Sequence, residues 1–258
     1  MKRSSLDLTG RVAVVIGATS GLGKEIAIGL AEHGADVVPG GRRSDLLRET
    51  CGEIERLGRR TVHLPLDARL KDSIESFRDS VLNALGRVDI VVNAAGRTFR
   101  KPAIDVDLDE WSSLFETNLT AVLYSCQAFF EPLKASGAGR IINIASLASY
   151  VAFHEVAAYC ASKSAVLSLT RSLACEWARH GICVNAIAPG VFPTELNQSL
   201  LDGSERGREI LLRTPMHRFG QPRELVGAAV LLASDAASFI TGQSIVVDGG
   251  YLASGVNS

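Results

Sequence analysis

The sequence holds little that would tie it to a metal, a membrane or a nucleic acid. Its five cysteines, Cys51, Cys126, Cys160, Cys175 and Cys183, are odd in number and show no C-x-x-C pairing. That argues against a disulfide framework or a thiolate zinc site, and the apolar runs around most of them read as reduced, buried thiols of a cytoplasmic protein. No stretch reaches the roughly 18 unbroken apolar residues that mark a membrane span, and Lys2 and Arg3 have no apolar segment behind them. A formal net charge of −1 gives no reason to expect nucleic acid or an anionic membrane as partner. No internal repeat, linker or low-complexity tract divides the 258 residues, so one domain is expected. A chain that is 47% hydrophobic and 21% charged has the composition to bury a large core.

What is present is an alternation of strand and helix patterns. Short apolar runs predict strands at Val12–Ile16, Ala35–Val38, Thr61–Leu66, Val88–Val92, Ile141–Ala145, Ile182–Ile187 and Ser244–Val247. Pro39, which lacks an N–H, should end the second strand or make it bulge. Helical periodicity runs between them, including one long helix over Leu108–Leu133 and another from about Val156 to His180. The alternation predicts an α/β fold, a Rossmann-type doubly wound parallel sheet of about seven strands, with ligands at the carboxyl ends of the strands.

Those ends carry the motifs. Gly17, Ser20, Gly21, Leu22 and Gly23 lie between the first strand and the first helix, where glycines let the backbone approach a pyrophosphate and the helix N-terminus faces it with free N–H groups. After the second strand there is no acid until Asp45. Arg42 and Arg43 stand there instead, either as a solvated basic turn or as a grip on a ribose 2′-phosphate. Asp67 follows the third strand and could cap the next helix or accept a bond from an adenine amino group. Asn93, Ala94, Ala95 and Gly96 end the fourth strand in small residues that leave room for a flat ligand. Asn118 sits among apolar residues, as a satisfied core amide or a functional one. Ser146 follows the fifth strand, and Tyr159 and Lys163 are four apart on the next helix, so a phenol and an ammonium share one face. That neighbour should lower the tyrosine pKa toward neutrality. Pro189, Gly190 and Thr194 form a further turn at the ligand edge.

Together these residues resemble the short-chain dehydrogenase/reductase family over nearly the whole chain. Its glycine fingerprint corresponds to Gly17-x-x-x-Gly21-x-Gly23, its N-x-A-G turn to Asn93–Gly96, its tetrad to Asn118, Ser146, Tyr159 and Lys163, and its P-G-x-x-x-T turn to Pro189–Thr194. Ile16 and Ala94 depart from the pattern, replacing a Thr and an Asn and removing a polar tether around the cofactor loop. The resemblance implies a nicotinamide cofactor, which the missing acid at Gly41 and the following Arg42 make NADP rather than NAD, together with a small-molecule substrate and a homotetramer. It also implies roles. Tyr159 exchanges a proton with the substrate oxygen while Ser146 holds it; Lys163 tunes the tyrosine and binds ribose. Asn118 holds a relay water, Asp67 contacts adenine, Asn93 and Gly96 contact the adjoining backbone, and Gly190 and Thr194 contact the nicotinamide end.

The tail from Arg213 to Gly227 and the closing GGYLASGV look similar to members that oxidise sugar acids such as gluconate, and 3-oxoacyl-carrier-protein reductases share much of the pattern. Arg97, Arg100, Lys101 and His154 could form a cationic mouth for a carboxylate, or be solvated loop charges. Poor periodicity over 195–220 marks a substrate lid or a surface insertion. Apolar residues such as Phe129, Leu167 and Trp177 exceed the need of one sheet face and suit subunit contacts. Two other classes are weighed: a non-catalytic dinucleotide sensor, which would normally have lost Tyr159 or Lys163, and a hydrolase using Ser146 with His154, which lacks a nucleophile elbow.

Overall fold

Strand β1 (Val12–Ile16) has all five side chains buried. A strand covered on both faces reads as a continuous apolar run, yet successive side chains still point to opposite sides. Ala13 and Val15 pack with Ile26, Leu30 and Val92 in one core layer, whereas Val12, Val14 and Ile16 pack with Ile74, Phe77 and Phe129 in the other. The sheet therefore separates two apolar layers, each roofed by helices.

The structure is a computed structural model that describes residues 5–194, 201 and 203–256. Strands β1, β2 (Asp36–Gly41), β3 (Leu64–Pro65), β4 (Ile90–Asn93), β5 (Arg140–Ile144), β6 (Cys183–Pro189) and β7 (Ser244–Val247) form one seven-stranded sheet in the order β3-β2-β1-β4-β5-β6-β7. Every pairing is parallel. The helices of the described residues are α1 (Gly21–Glu32), α2 (Ser44–Arg56), α3 (Lys71–Leu85), α4 (Leu108–Phe115), α5 (Ala121–Ala128), α6 (Phe130–Ser136), α7 (Ala157–Trp177), α8 (Glu205–Arg213) and α9 (Val226–Ala233). Strand order reverses between β1 and β4, and the crevice at their carboxyl ends is where such a sheet accepts a ligand.

Several expectations are corrected. Strand β2 passes straight through Pro39, which pairs with Val15, and ends at Gly41. The N–H of Val37 reaches Arg60 O on the β3 side, and parallel strands alternate sides, so the N–H that Pro39 lacks falls toward β3. Strand β3 shrinks to two residues, leaving little ladder there to interrupt. The long helix expected over Leu108–Leu133 is three helices. A π-helical turn over Glu116–Thr120 separates α4 from α5, and Phe129 separates α5 from α6. Pro132 cannot donate to the Ala128 carbonyl, which accepts instead from Arg78 at 3.4 Å.

Of the cysteines, Cys51 and Cys126 are buried, Cys160 and Cys183 partly so, and Cys175 is exposed because it lies on the outer side of α7 opposite Leu173 and Ala174. Phe129, Leu167 and Trp177 pack into this chain's own second core layer and are not spare surface. The expected lid contains α8; residues 195–200 and 202 of that stretch lie outside the described residues. No helix among the described residues is long and apolar enough to cross a membrane.

Candidate active site

The glycine turn is built so that no side chain fits. Gly17 has φ +93°, and a Cβ there would stand 2.4 Å from Ala95 N; one on Gly23 would stand 2.2 Å from Gly17 O. Gly21, at φ +58°, starts α1 in a conformation that disfavours L side chains. The polar tether missing at Ile16 and Ala94 is replaced by backbone: Ala94 N–H donates to Ile16 O at 2.8 Å and Gly17 N–H to Gly40 O at 2.8 Å. Helix α1 has no acid in its first turn, and its N-cap Ser20 makes no side-chain cap. Its first N–H groups and positive dipole end are thereby left for an anion.

The end of β2 shapes the next part of the groove. A Cβ on Gly41 would lie 2.6 Å from Thr19 Cγ2, so a side chain here would have to displace the Thr19 methyl. Arg43 donates to the Thr19 hydroxyl at 2.8 Å and to the Ser20 hydroxyl at 2.5 Å, which explains why Ser20 does not cap α1. Arg42 is exposed and makes no ion pair or hydrogen bond among the described residues. Asp67 neither caps α3, whose N-cap is Leu70, nor stands free: it accepts from Arg69 side-chain N–H groups at 3.0 and 2.6 Å. The hydrogen bond from Arg69 holds the Asp67 carboxyl below the usual carboxylate range.

Ser146, Tyr159 and Lys163 come together because β5 ends just before Ser146 and α7 packs its inner face on the following turn. The Ser149 hydroxyl donates to Lys163 O at 2.8 Å and ties the two segments. Lys163 is 5% exposed, and its ammonium donates to Ile144 O at 2.7 Å. Burial lowers its pKa from 10.5 to about 8. The sequence predicts a tyrosine lowered by this ammonium, whereas in this structure Nζ lies 5.9 Å from the ring centroid and is bonded elsewhere. Burial therefore pushes the Tyr159 phenol up, and only the hydrogen bond with Ser146 pulls it down.

Asn118 sits in the π-helical turn, a device that often marks functional positions. It is fully buried and off the groove wall: Oδ1 accepts from Arg97 N at 2.9 Å, and Nδ2 donates to Arg97 O at 3.0 Å and Ser162 Oγ at 3.0 Å. A Cβ on Gly96 would lie 3.6 Å from both Asn118 Oδ1 and Lys163 Nζ, so the two polar groups border one small space. Asn93 also points inward, donating to Asn143 Oδ1 at 2.9 Å, with its own Oδ1 unpartnered among the described residues. His154 is 81% exposed beside Glu155, while Ser146 bonds Ala148 N–H and Tyr159, so Ser146 and His154 do not form the pair a hydrolase would need.

A groove of about 520 Å³ joins these parts. Gly17, Ser20, Gly21, Leu22, Gly23, Arg42, Arg43, Asp67, Ala94, Ala95, Gly96, Ser146, Tyr159, Lys163, Pro189, Gly190 and Thr194 all line it, and Asn93 and Asn118 do not. Thr19, Arg69, Thr117 and Phe192 also line it without being singled out by the sequence motifs, and Arg97, expected at the substrate mouth, lines it as well. Thr19 and Phe192 lie inside the glycine and Pro189–Thr194 turns, Arg69 follows Asp67 and Thr117 precedes Asn118, which is the signal the sequence offers. No group of His, Cys, Asp or Glu among the described residues is arranged to hold a metal ion.

A family model described as enoyl-(acyl carrier protein) reductase matches residues 17–252. The chain is 41% identical to 2-dehydro-3-deoxy-D-gluconate 5-dehydrogenase of Escherichia coli, over 97% of this chain and 98% of that one. It is 38% identical to an NAD-dependent glycerol dehydrogenase of Listeria innocua, over 95% of each. Among solved structures, a gluconate 5-dehydrogenase from Burkholderia cenocepacia in complex with NADP and tartrate superposes with a TM-score of 0.93 at 37% identity, covering 97% of this chain and 98% of that one. With the parallel sheet, the glycine turn and the Ser146, Tyr159 and Lys163 cluster on one groove, these matches establish that the chain belongs to the short-chain dehydrogenase/reductase family.

Proposed function

We propose that the protein is an NADP(H)-dependent dehydrogenase interconverting a secondary alcohol and its ketone, with a sugar acid of the gluconate type as substrate. The observation that carries it is a single groove lined by Ser146, Tyr159 and Lys163 and also by the anion-ready start of α1 and two arginines past β2. The residues fit a dinucleotide, since Gly17 and Gly23 let the turn and the Ala94–Ala95 backbone close up beside the uncapped start of α1. When bound, that cofactor supplies or accepts the hydride.

The chain's own groups supply binding, orientation and a proton. The α1 N-terminus would hold the pyrophosphate, and Arg42, following a position that carries Gly41 and no acid, would pair with the 2′-phosphate. Asp67 and the Ala94–Gly96 turn line the adenosine and ribose, with Gly190 and Thr194 at the nicotinamide end. Ser146 fixes the substrate oxygen while Tyr159 gives or takes its proton. Lys163, charged below about pH 8, borders the space beside Gly96 where a ribose would lie. Asn118 keeps a lone pair on Oδ1 toward the space shared with Lys163, where a relay water would fit.

One observation favours a neutral polyol as the second reading. Two of the mouth cations are neutralised, Arg100 by Glu155 at 2.5 Å and Lys101 by Glu110 at 2.5 Å. The sugar-acid reading therefore rests on the relatives, and α8 offers its local support: Arg206 donates to His154 O at 3.1 Å and covers the Phe153 ring, placing a cationic substrate cover over the 152–154 loop. We propose that the homotetramer uses the helical stretch that carries Asn118, one of the two the resemblance implies, at whose start Leu108 is 80% exposed, near Ile104 at 92% and the stacked Trp111 and Phe115.

A panel of gluconate, 2-dehydro-3-deoxy-D-gluconate, glycerol, threitol and a 3-oxoacyl thioester, run with both nicotinamide cofactors, tests the reading, with Tyr159→Phe as control. Turnover should be highest on the acids and fall by at least ~10²-fold in the variant, the usual cost of losing a general acid–base group. Faster turnover of polyols or thioesters would displace the sugar-acid assignment, and an undiminished variant would displace Tyr159.

A further inference from the structure

Arg97 is a groove cation that no acid among the described residues neutralises. Its basic neighbours are paired, Arg69 with Asp67, Arg100 with Glu155 and Lys101 with Glu110. Arg97 instead donates one guanidinium N–H to the Ser113 hydroxyl at 2.8 Å, and among the described residues it has no carboxylate partner. Its main chain is clamped on both sides by the Asn118 amide, at 2.9 and 3.0 Å. A surface arginine ordinarily loses much rotamer freedom when it binds. Here part of that ordering precedes any ligand, which is how preorganisation raises affinity.

Its position indicates what it holds. The Ala94–Gly96 turn leans directly on the glycine turn, as the 2.4 Å gap between a Gly17 Cβ and Ala95 N shows. Arg97 thus follows a turn that packs through Ala95 on Gly17 and through Ala94 on Gly23 in the first turn of α1, which carries no acid and has no cap from Ser20. Two positive features, a guanidinium and a helix N-terminus, line the same groove. We infer that Arg97 grips the pyrophosphate of the dinucleotide, the part that NADP and NAD share. The inference rests on the dinucleotide reading above, and it separates Arg97 from Arg42, whose proposed partner exists in NADP alone.

The test is calorimetric binding of NADPH, NADH, ADP-ribose and adenosine 2′-monophosphate to the wild type, Arg97→Met and Arg97→Lys. Arg97→Met should weaken NADPH, NADH and ADP-ribose by a common factor of about ten or more, the scale of one charge-assisted hydrogen bond. Adenosine 2′-monophosphate, which has no pyrophosphate, should bind as before. Arg97→Lys keeps the charge and loses the fork, so it should fall between. Raising salt should weaken NADH binding less in Arg97→Met than in the wild type. Unchanged affinities, a loss confined to ligands with a 2′-phosphate, or an effect only on the KM of the acid substrate would each overturn the assignment while leaving dinucleotide binding intact. A wild type that bound none of the dinucleotides would overturn both.

Discussion

Lys163 is buried where most lysines are solvated, and its pKa drops from 10.5 to about 8 because the ammonium loses water. The sign of the consequence follows from linkage. Between about pH 8 and the ordinary lysine value the unfolded chain holds a proton that the folded chain has released, so stability rises with pH across that window. Relative to Lys163→Met, the wild type should gain roughly 1.4 kcal/mol per pH unit between pH 8 and 9.5, measured by denaturant unfolding at several pH values. Parallel stability profiles would show that the ammonium titrates normally. Arg42 carries a second prediction at this scale. Arg42→Ala should weaken NADPH by about 1.5–3 kcal/mol, the range for a hydrogen bond to a charged group, and leave NADH nearly untouched. Equal losses for both, in direct binding measurements, would remove Arg42 from the 2′-phosphate.

Among the elements, the π-helical turn Glu116–Thr120 joins the fold to the site. It delivers the Asn118 amide to both main-chain groups of Arg97 and to Ser162, stitching the segment after β4 onto α7. Asn118→Ala should cost about 1–3 kcal/mol, since it leaves buried polar partners unmet, and should loosen dinucleotide binding through Arg97. Thermal melts and NADH titration check the two effects separately. A variant as stable as the wild type, with unchanged NADH affinity, would reduce Asn118 to a bystander. The turn itself was hidden in the sequence, because an apolar pattern of helical period continues through Glu116–Thr120 without a Pro or Gly to announce the extra residue.

For the whole molecule, the exposed apolar face at Ile104, Leu108 and Trp111 is larger than a solitary surface residue would explain. Light scattering at micromolar concentration should report a mass near four times the 27.4 kDa of one chain, and Ile104→Glu with Leu108→Glu should lower it. A 27.4 kDa species in the wild type would reject the tetramer.

The amino-acid order by itself determined the alternation of strands and helices and hence the doubly wound sheet, because buried parallel strands must be apolar throughout and their carboxyl-end turns must be small. It also determined the glycine cradle and the Tyr159–Lys163 spacing, which are local properties of a turn and of one helix. Only the tertiary structure decided which charges are free. Arg100, Lys101 and Arg69 look alike in sequence to Arg97, yet each meets an acid, from as far away as Glu155, whereas Arg97 meets Ser113 and the Asn118 clamp. It likewise decided that Phe129, Leu167 and Trp177 are core, that Pro39 is harmless beside a two-residue edge strand, and that Lys163 bonds Ile144 O and not the phenol. Pairing and burial depend on neighbours distant in sequence, and periodicity does not encode them.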